Sequence, residues 1–199
     1  MRWMSLIVVV AVLGVGCGED EPEWRGVPAP EAPPEGTNER ADWEVQRILD
    51  GFVPGDEGGV ARTLERLEAL RAEWAGREPE RGILDKMLLI LEDEGRHLDA
   101  AAVRLAMADL TVGLERFIVR HEAARDLILG ARDEQALNVL DETLATMGAD
   151  VPEAMLGSLR LERAWVLARL DRLDEALSSV RAEAKRLEGT SRGRLVQYQ

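Results

Sequence analysis

The sequence predicts an all-α protein: about seven to eight helices arranged as stacked antiparallel hairpins, behind a disordered tether. Three observations carry this. Leu, Ala, Glu and Arg dominate a chain with only 4% aromatic residues, a composition that favours helix over strand. From Glu39 onward apolar residues recur at helical +3/+4 spacing with only short breaks. Leu159 to Leu187 reads as two helices joined by a tight turn at Asp171-Arg172, and that unit recurs upstream.

In the second helix of this unit Leu173, Ala176, Leu177, Val180, Ala184 and Leu187 fall on one face. Arg172, Asp174, Glu175, Arg181, Glu183, Lys185 and Arg186 surround that stripe, as suits a solvent-facing end unit. In the first helix Leu159, Leu161, Ala164, Trp165, Leu167, Ala168 and Leu170 spread over more than one face, the pattern of a helix packed on two sides. One hairpin cannot bury its own inner face, so each needs another stacked on it.

The amino terminus has its own logic. A short basic start at Arg2 precedes an apolar run, Leu6 to Val15, that is shorter than the roughly 20 residues a membrane-spanning helix needs. It fits a secretory signal peptide over residues 1–16. Residues 17–38 are rich in proline and acids, with almost no aliphatic side chains. Such a segment buries too little apolar surface to offset its ordering entropy and is expected to stay extended. Trp24 is its one large apolar group, a candidate contact for a headgroup region or a partner.

The helical body is expected over 39–188, with 189–199 as a flexible tail. Pro54 to Gly59 ends a first helix containing Trp43, Ile48 and Leu49, and Val60, Leu64, Leu67, Leu70 and Trp74 stripe a second. Pro79 suits the first turn of a third, which contains Ile83, Leu84, Met87, Leu88, Ile90 and Leu91. Between Leu98 and Leu129 the only strong breaker is Gly113, which leaves open one helix or two. After Gly130, Leu137, Leu140, Leu144 and Met147 form the next stripe. Gly148 to Pro152 then leads into the last hairpin.

Two resemblances follow from these residues. Leu13-Gly14-Val15-Gly16-Cys17 resembles a bacterial lipoprotein signal, although that family favours Leu where Gly14 stands and here Leu13 lies one place further back. The resemblance implies cleavage before Cys17 and lipidation of its sulfur, which would consume the only thiol of the chain. Acyl chains would anchor the protein to a membrane, and Gly18, where an Asp would mark inner-membrane retention, points to the outer membrane.

Asp171-Arg172-Leu173-Asp174-Glu175-Ala176-Leu177 resembles the turn inside a tetratricopeptide repeat. Gly95 to Ala101 matches it with His97 at the aromatic place, and Ala131 to Leu137 matches with Asp133 there. A faint fourth copy ends at Ala61. The alanines Ala61, Ala100, Ala136 and Ala176 lie 39, 36 and 40 residues apart, longer than the usual repeat. Other helical-hairpin repeats, or a plain bundle, share such spacing.

Composition and motifs bound the function. A formal charge of −13 repels nucleic-acid backbones and anionic lipid headgroups, so neither is expected as a main partner. Gly189-Thr190-Ser191-Arg192-Gly193 satisfies a nucleophile-elbow pattern, but it follows a helix and no His lies beyond it. His121-Glu122-Ala123-Ala124-Arg125 falls one ligand short of a zinc helix, with Arg125 in place of the second His. Glu94 and His97 have the spacing of a helix-bundle metal pair, whereas Ile118 stands three residues before His121. No enzyme activity, cofactor or metal is therefore expected. The primary expectation is an exported, lipid-anchored scaffold in the cell envelope that binds a protein or peptide, with Arg160, Glu162, Arg163 and Trp24 as candidate contacts. The alternatives are a small-ligand or metal-binding bundle using His97 and His121, and a structural spacer.

Overall fold

The computed structural model describes residues 31–146 and 151–188. Signal peptide, Cys17, Trp24, most of the tether, Met147, most of the 148–152 connection and the 189–199 tail lie outside these. Contacts set off Pro33–Gln199 as a compact unit. Its described residues contain eight helices and no strand: α1 (Asn38–Leu49), α2 (Glu57–Glu73), α3 (Glu78–Asp93), α4 (His97–Asp109), α5 (Gly113–Leu129), α6 (Asp133–Thr146), α7 (Glu153–Arg169) and α8 (Leu173–Glu188). Consecutive helices pack on one another, giving a stack of hairpins.

Three of the four hairpin turns are built from one hydrogen-bond pattern. Arg96, Arg132 and Arg172 donate their amides to the carbonyls of Leu91, Leu127 and Leu167 at 2.8, 2.8 and 2.9 Å. This is the six-to-one bond of a Schellman helix end, which needs a left-handed residue just before the donor. Gly95, Ala131 and Asp171 supply it, with φ of 65°, 56° and 61°. The next helix then starts at once, and Ala100, Ala136 and Ala176, all buried, accept the close approach of the preceding helix. The repeated turn legible in the sequence is thus a repeated physical object.

The first turn keeps only the second half of this pattern, because Asp56 donates to the carbonyl of Val53 at 3.3 Å instead of closing a six-to-one bond. Gly55 takes the left-handed position with φ of 77°, and Val60 donates to Asp56 as Ala100 does to Arg96. Val60 is buried and Ala61 is exposed. The faint copy therefore centres on Val60 and not on Ala61, and α2 begins earlier than its apolar stripe, at Glu57. Gly58 and Gly59 lie inside its first turn, where a Cβ on Gly59 would sit 2.7 Å from an Asp56 carboxylate oxygen.

The stretch from Leu98 to Leu129 is two helices. The break at Leu110-Thr111-Val112 relies on a left-handed Gly113, φ 57°. The Thr111 hydroxyl and the Arg116 guanidinium both donate to the carbonyl of Ala108, at 3.2 and 3.0 Å. These bonds satisfy a helix end that has no proline or polar N-cap to announce it.

Buried side chains form two clusters. One gathers α1 to α4 around Leu67, Ile83, Leu84 and Ile90; the other gathers α4 to α8 around Phe117, Leu140, Leu159 and Leu167. Helix α4 serves both, with Ala100, Val103 and Met107 on one side and Ala101 on the other. Between them runs a polar seam in which Arg104 is ion-paired with Glu92, Asp126 and Glu122.

The end helix departs from expectation. Of the stripe Leu173, Ala176, Leu177, Val180, Ala184 and Leu187, only Ala176 belongs to a buried cluster. Glu183, expected in solvent, is 3% exposed. The reason is local: Gly157 on α7 lacks the Cβ that would meet a Glu183 oxygen at 2.7 Å, and Arg160 and Arg186 offset the buried charge at 3.3 and 3.5 Å. Helix α8 therefore docks on α7 by its Ala176–Glu183 edge and leaves Leu173, Leu177 and Val180 in solvent.

Candidate protein-binding surface

The odd-numbered helices form one layer. Asn38 of α1 donates to Glu78 of α3 at 2.8 Å, Arg81 of α3 pairs with Glu115 of α5, and His121 of α5 pairs with Glu162 of α7. On the opposite side a groove opens between α2 and α4, lined by Leu64, Glu68, Ala102 and Val103, with Met87 and Leu91 of α3 at its floor. The odd helices are bridged to one another by these side-chain pairs, and the layer they form is called inner below.

Aligning the turns places Leu89, Arg125 and Trp165 at one equivalent position on α3, α5 and α7. All three are exposed, Leu89 at 55% and Trp165 at 51%. Ile118 and Leu114 on α5 and Leu161 on α7 extend the patch at i−4 spacing from one another or from Trp165. The Arg169 guanidinium lies 4.8 Å from the Trp165 ring centroid and braces it from one side. Trp and Arg are over-represented among the residues that dominate binding energy in protein interfaces, and a contiguous exposed apolar patch beside them makes this face a candidate docking surface.

The candidate contact residues distribute unevenly over this surface. Glu162 lies on the inner layer, held by His121. Arg160 turns between α7 and α8, bonded to Glu153 at 2.6 Å and Glu183 at 3.3 Å. Burial disfavours its charge, but the hydrogen bond to Glu153 and then Glu183 outweighs that and raises its pKa above the ordinary arginine value. Arg163 turns between α6 and α8, pairing with Asp141 and donating to the Ser179 hydroxyl at 3.2 Å. Trp24 lies outside the described residues. Periodicity assigns Leu161 and Trp165 to packing, whereas the structure makes them surface groups. The signal for this lies in the repeat itself, because the residue equivalent to Trp165 one copy earlier is a charged Arg125.

The two histidines do not converge. His97 Nδ1 lies 3.4 Å from Asp126, and Glu94 instead accepts the Gly55 amide at 3.0 Å. Among the described residues no group of three or more His, Cys, Asp or Glu is placed to hold a metal ion. Among them, too, no helix is long and apolar enough to cross a membrane.

No family model matches the chain, and no curated protein matches it. Two solved structures resemble part of the chain. One is the putative kinesin light chain of Podosopora anserina with nearly identical TPR-like repeats, 17% identical, covering 76% of this chain and 78% of that one with a TM-score of 0.47. The other is a variant of that same protein, 16% identical, covering 77% of each chain with a TM-score of 0.49.

Proposed function

We propose that this protein is an exported, membrane-anchored helical-repeat scaffold that holds a protein or peptide partner on its inner helical layer. The observation that carries the reading is the equivalent row Leu89, Arg125 and Trp165, with Ile118 and Leu161 beside it, exposed on three consecutive odd helices. A large side chain standing in water at the same place in three units is a property of the stack and not an accident of one helix. Burying one such apolar side chain yields about 1.5–3 kcal/mol. Stacked hairpins present that row on a preformed surface, so little ordering entropy opposes binding. Supporting the anchor are the apolar run before Cys17 and the acidic, proline-rich segment after it, which would let the stack reach partners at a distance from the membrane.

A photo-crosslinking side chain at Leu161, in cells of the native host, is the test. Capture of one reproducible protein, lost in Trp165→Ala and retained when Trp24 is changed, supports the reading; no specific adduct at Leu161 rejects it. Lipidation is tested separately, by incorporation of labelled fatty acid into the chain and its loss in Cys17→Ser.

A further inference from the structure

Repeat equivalence also exposes something about the last helix. Leu177 and Val180 of α8 correspond to Leu137 and Leu140 of α6 and to Ala101 and Arg104 of α4. In α6 these positions are 3% and 0% exposed, within the cluster formed with α7; in α8 they are 51% and 44% exposed. The face of α8 that stands in water is thus the face by which α4 and α6 receive the helix that follows them.

The face carries enough pattern to say what fits it. Leu173, Leu177, Val180 and Ala184 are spaced 4, 3 and 4 residues apart, the seam of a two-helix coiled coil. Asp174 and Arg181 flank it, about 90° round from the seam and on the side away from α7. Most other charges of α8 are committed within the chain: Glu175 to Arg172, and Glu183 to Arg160 and Arg186. Among the described residues Asp174 and Arg181 have no ion pair. At the place equivalent to Arg181, Asp141 of α6 pairs with Arg163 of the incoming α7, so in that unit this flank meets a charge from the next helix.

We propose that α8 is a self-association surface, on which two copies of this chain pair their α8 helices antiparallel about a two-fold axis. In that arrangement Leu177 of each copy meets Val180 of the other, Leu173 meets Ala184, and Asp174 opposes Arg181 twice over. An isologous contact requires this self-complementarity, and the single sequence of α8 supplies it in both seam and charge. The strong negative charge of the whole chain does not stand against it. Helix α8 holds four acids and three bases, and charges further off are screened beyond about 8 Å at physiological salt. An interface one helix wide gives a weak, reversible dimer with micromolar affinity. The pairing leaves the inner layer free and stands independently of the scaffold reading.

The test is sedimentation equilibrium of the full chain from about 1 to 100 µM, a range that brackets such an affinity. The expected result is a mass rising from one copy to two. Leu177→Glu is expected to remain monomeric throughout, with an unchanged circular dichroism spectrum. Asp174→Arg and Arg181→Asp should each weaken the dimer about tenfold, and the double swap should restore it, because only a second copy of the same chain changes both sides at once. Deleting residues 189–199 should leave the dimer intact. A monomer at all concentrations overturns the proposal, as does a double swap no better than the single ones. Loss of the dimer on deleting 189–199 also overturns it, in favour of that segment as the occupant.

Discussion

Arg104 and Asp126 face each other across α4 and α5 at the same two places that Leu140 and Val166 hold across α6 and α7. Both residues of the later pair are fully buried and apolar, in the same cluster; the earlier pair is an ion pair with side chains 11% and 10% exposed. Removing one partner of such a pair strands the other, at a cost of about 3–5 kcal/mol. Arg104→Leu, which takes the arginine from buried Asp126, is expected to destabilise by that order; Asp126→Val, which leaves Arg104 its pairs with Glu92 and Glu122, should cost less. The double variant, which reproduces the α6–α7 stack, should recover most of the loss. Urea unfolding of the four proteins gives the cycle, and a double variant as unstable as Arg104→Leu would show that Glu92 and Glu122 depend on Arg104 more than Asp126 does.

The turn residues give a second prediction. Ala131 and Asp171 hold left-handed φ where the α3–α4 turn uses Gly95. A side chain there costs on the order of 1 kcal/mol. Ala131→Gly should therefore raise the unfolding free energy by about that amount with no change in the slope against urea, and Gly95→Ala should lower it similarly. The gain at Asp171 should be smaller, because Asp tolerates this conformation better than Ala.

A third concerns pH. The hydrogen bond from Arg160 lowers the Glu153 pKa below its ordinary value, against a smaller opposing effect of burial. A carboxyl with a lowered folded-state pKa stabilises the fold fully above its unfolded value, about 4.3. That contribution is lost as pH falls through the folded value. Carboxyl carbon shifts of Glu153 followed by NMR should titrate below the usual glutamate range and return to it in Arg160→Met. The same measurement on Glu175, lowered by its hydrogen bond from Arg172, should respond to Arg172→Met and not to Arg160→Met.

A fourth separates surface from core. Trp165→Ala and Leu89→Ala should leave the unfolding free energy within about 0.5 kcal/mol. Leu140→Ala, at a position with no exposure, should lose about 2–5 kcal/mol. Calorimetry distinguishes the two, and a large loss in Trp165→Ala would mean that the ring is a structural group and not a docking one.

Much of this architecture is legible in the sequence because it depends on short-range chemistry. Pro79 sits in the first turn of α3, and the Gly95, Ala131 and Asp171 turns are local objects whose surrounding residues repeat. Other features depend on what lies across the stack, which periodicity does not record. The stripe of α8 has the spacing of a packed helix, yet Leu173, Leu177 and Val180 stand exposed. Glu183 is buried because Gly157, 26 residues away on another helix, makes room for it. The α4–α5 break is hidden because Gly113 alone, without proline or a capping side chain, turns the chain. Arg160 and Arg163 carry the charge expected of contact residues, yet their reach is taken up by neighbours on α6, α7 and α8.

The position of α4 between the two buried clusters has a thermodynamic consequence. Ala100, Val103 and Met107 of the first cluster sit on the same helix as Ala101 of the second, so melting either half is expected to loosen the other. Stacks of hairpins often come apart piecewise from their ends. In this one the shared helix, clamped further by Arg104, should couple both halves into a single heat-absorption peak whose van't Hoff and calorimetric enthalpies agree.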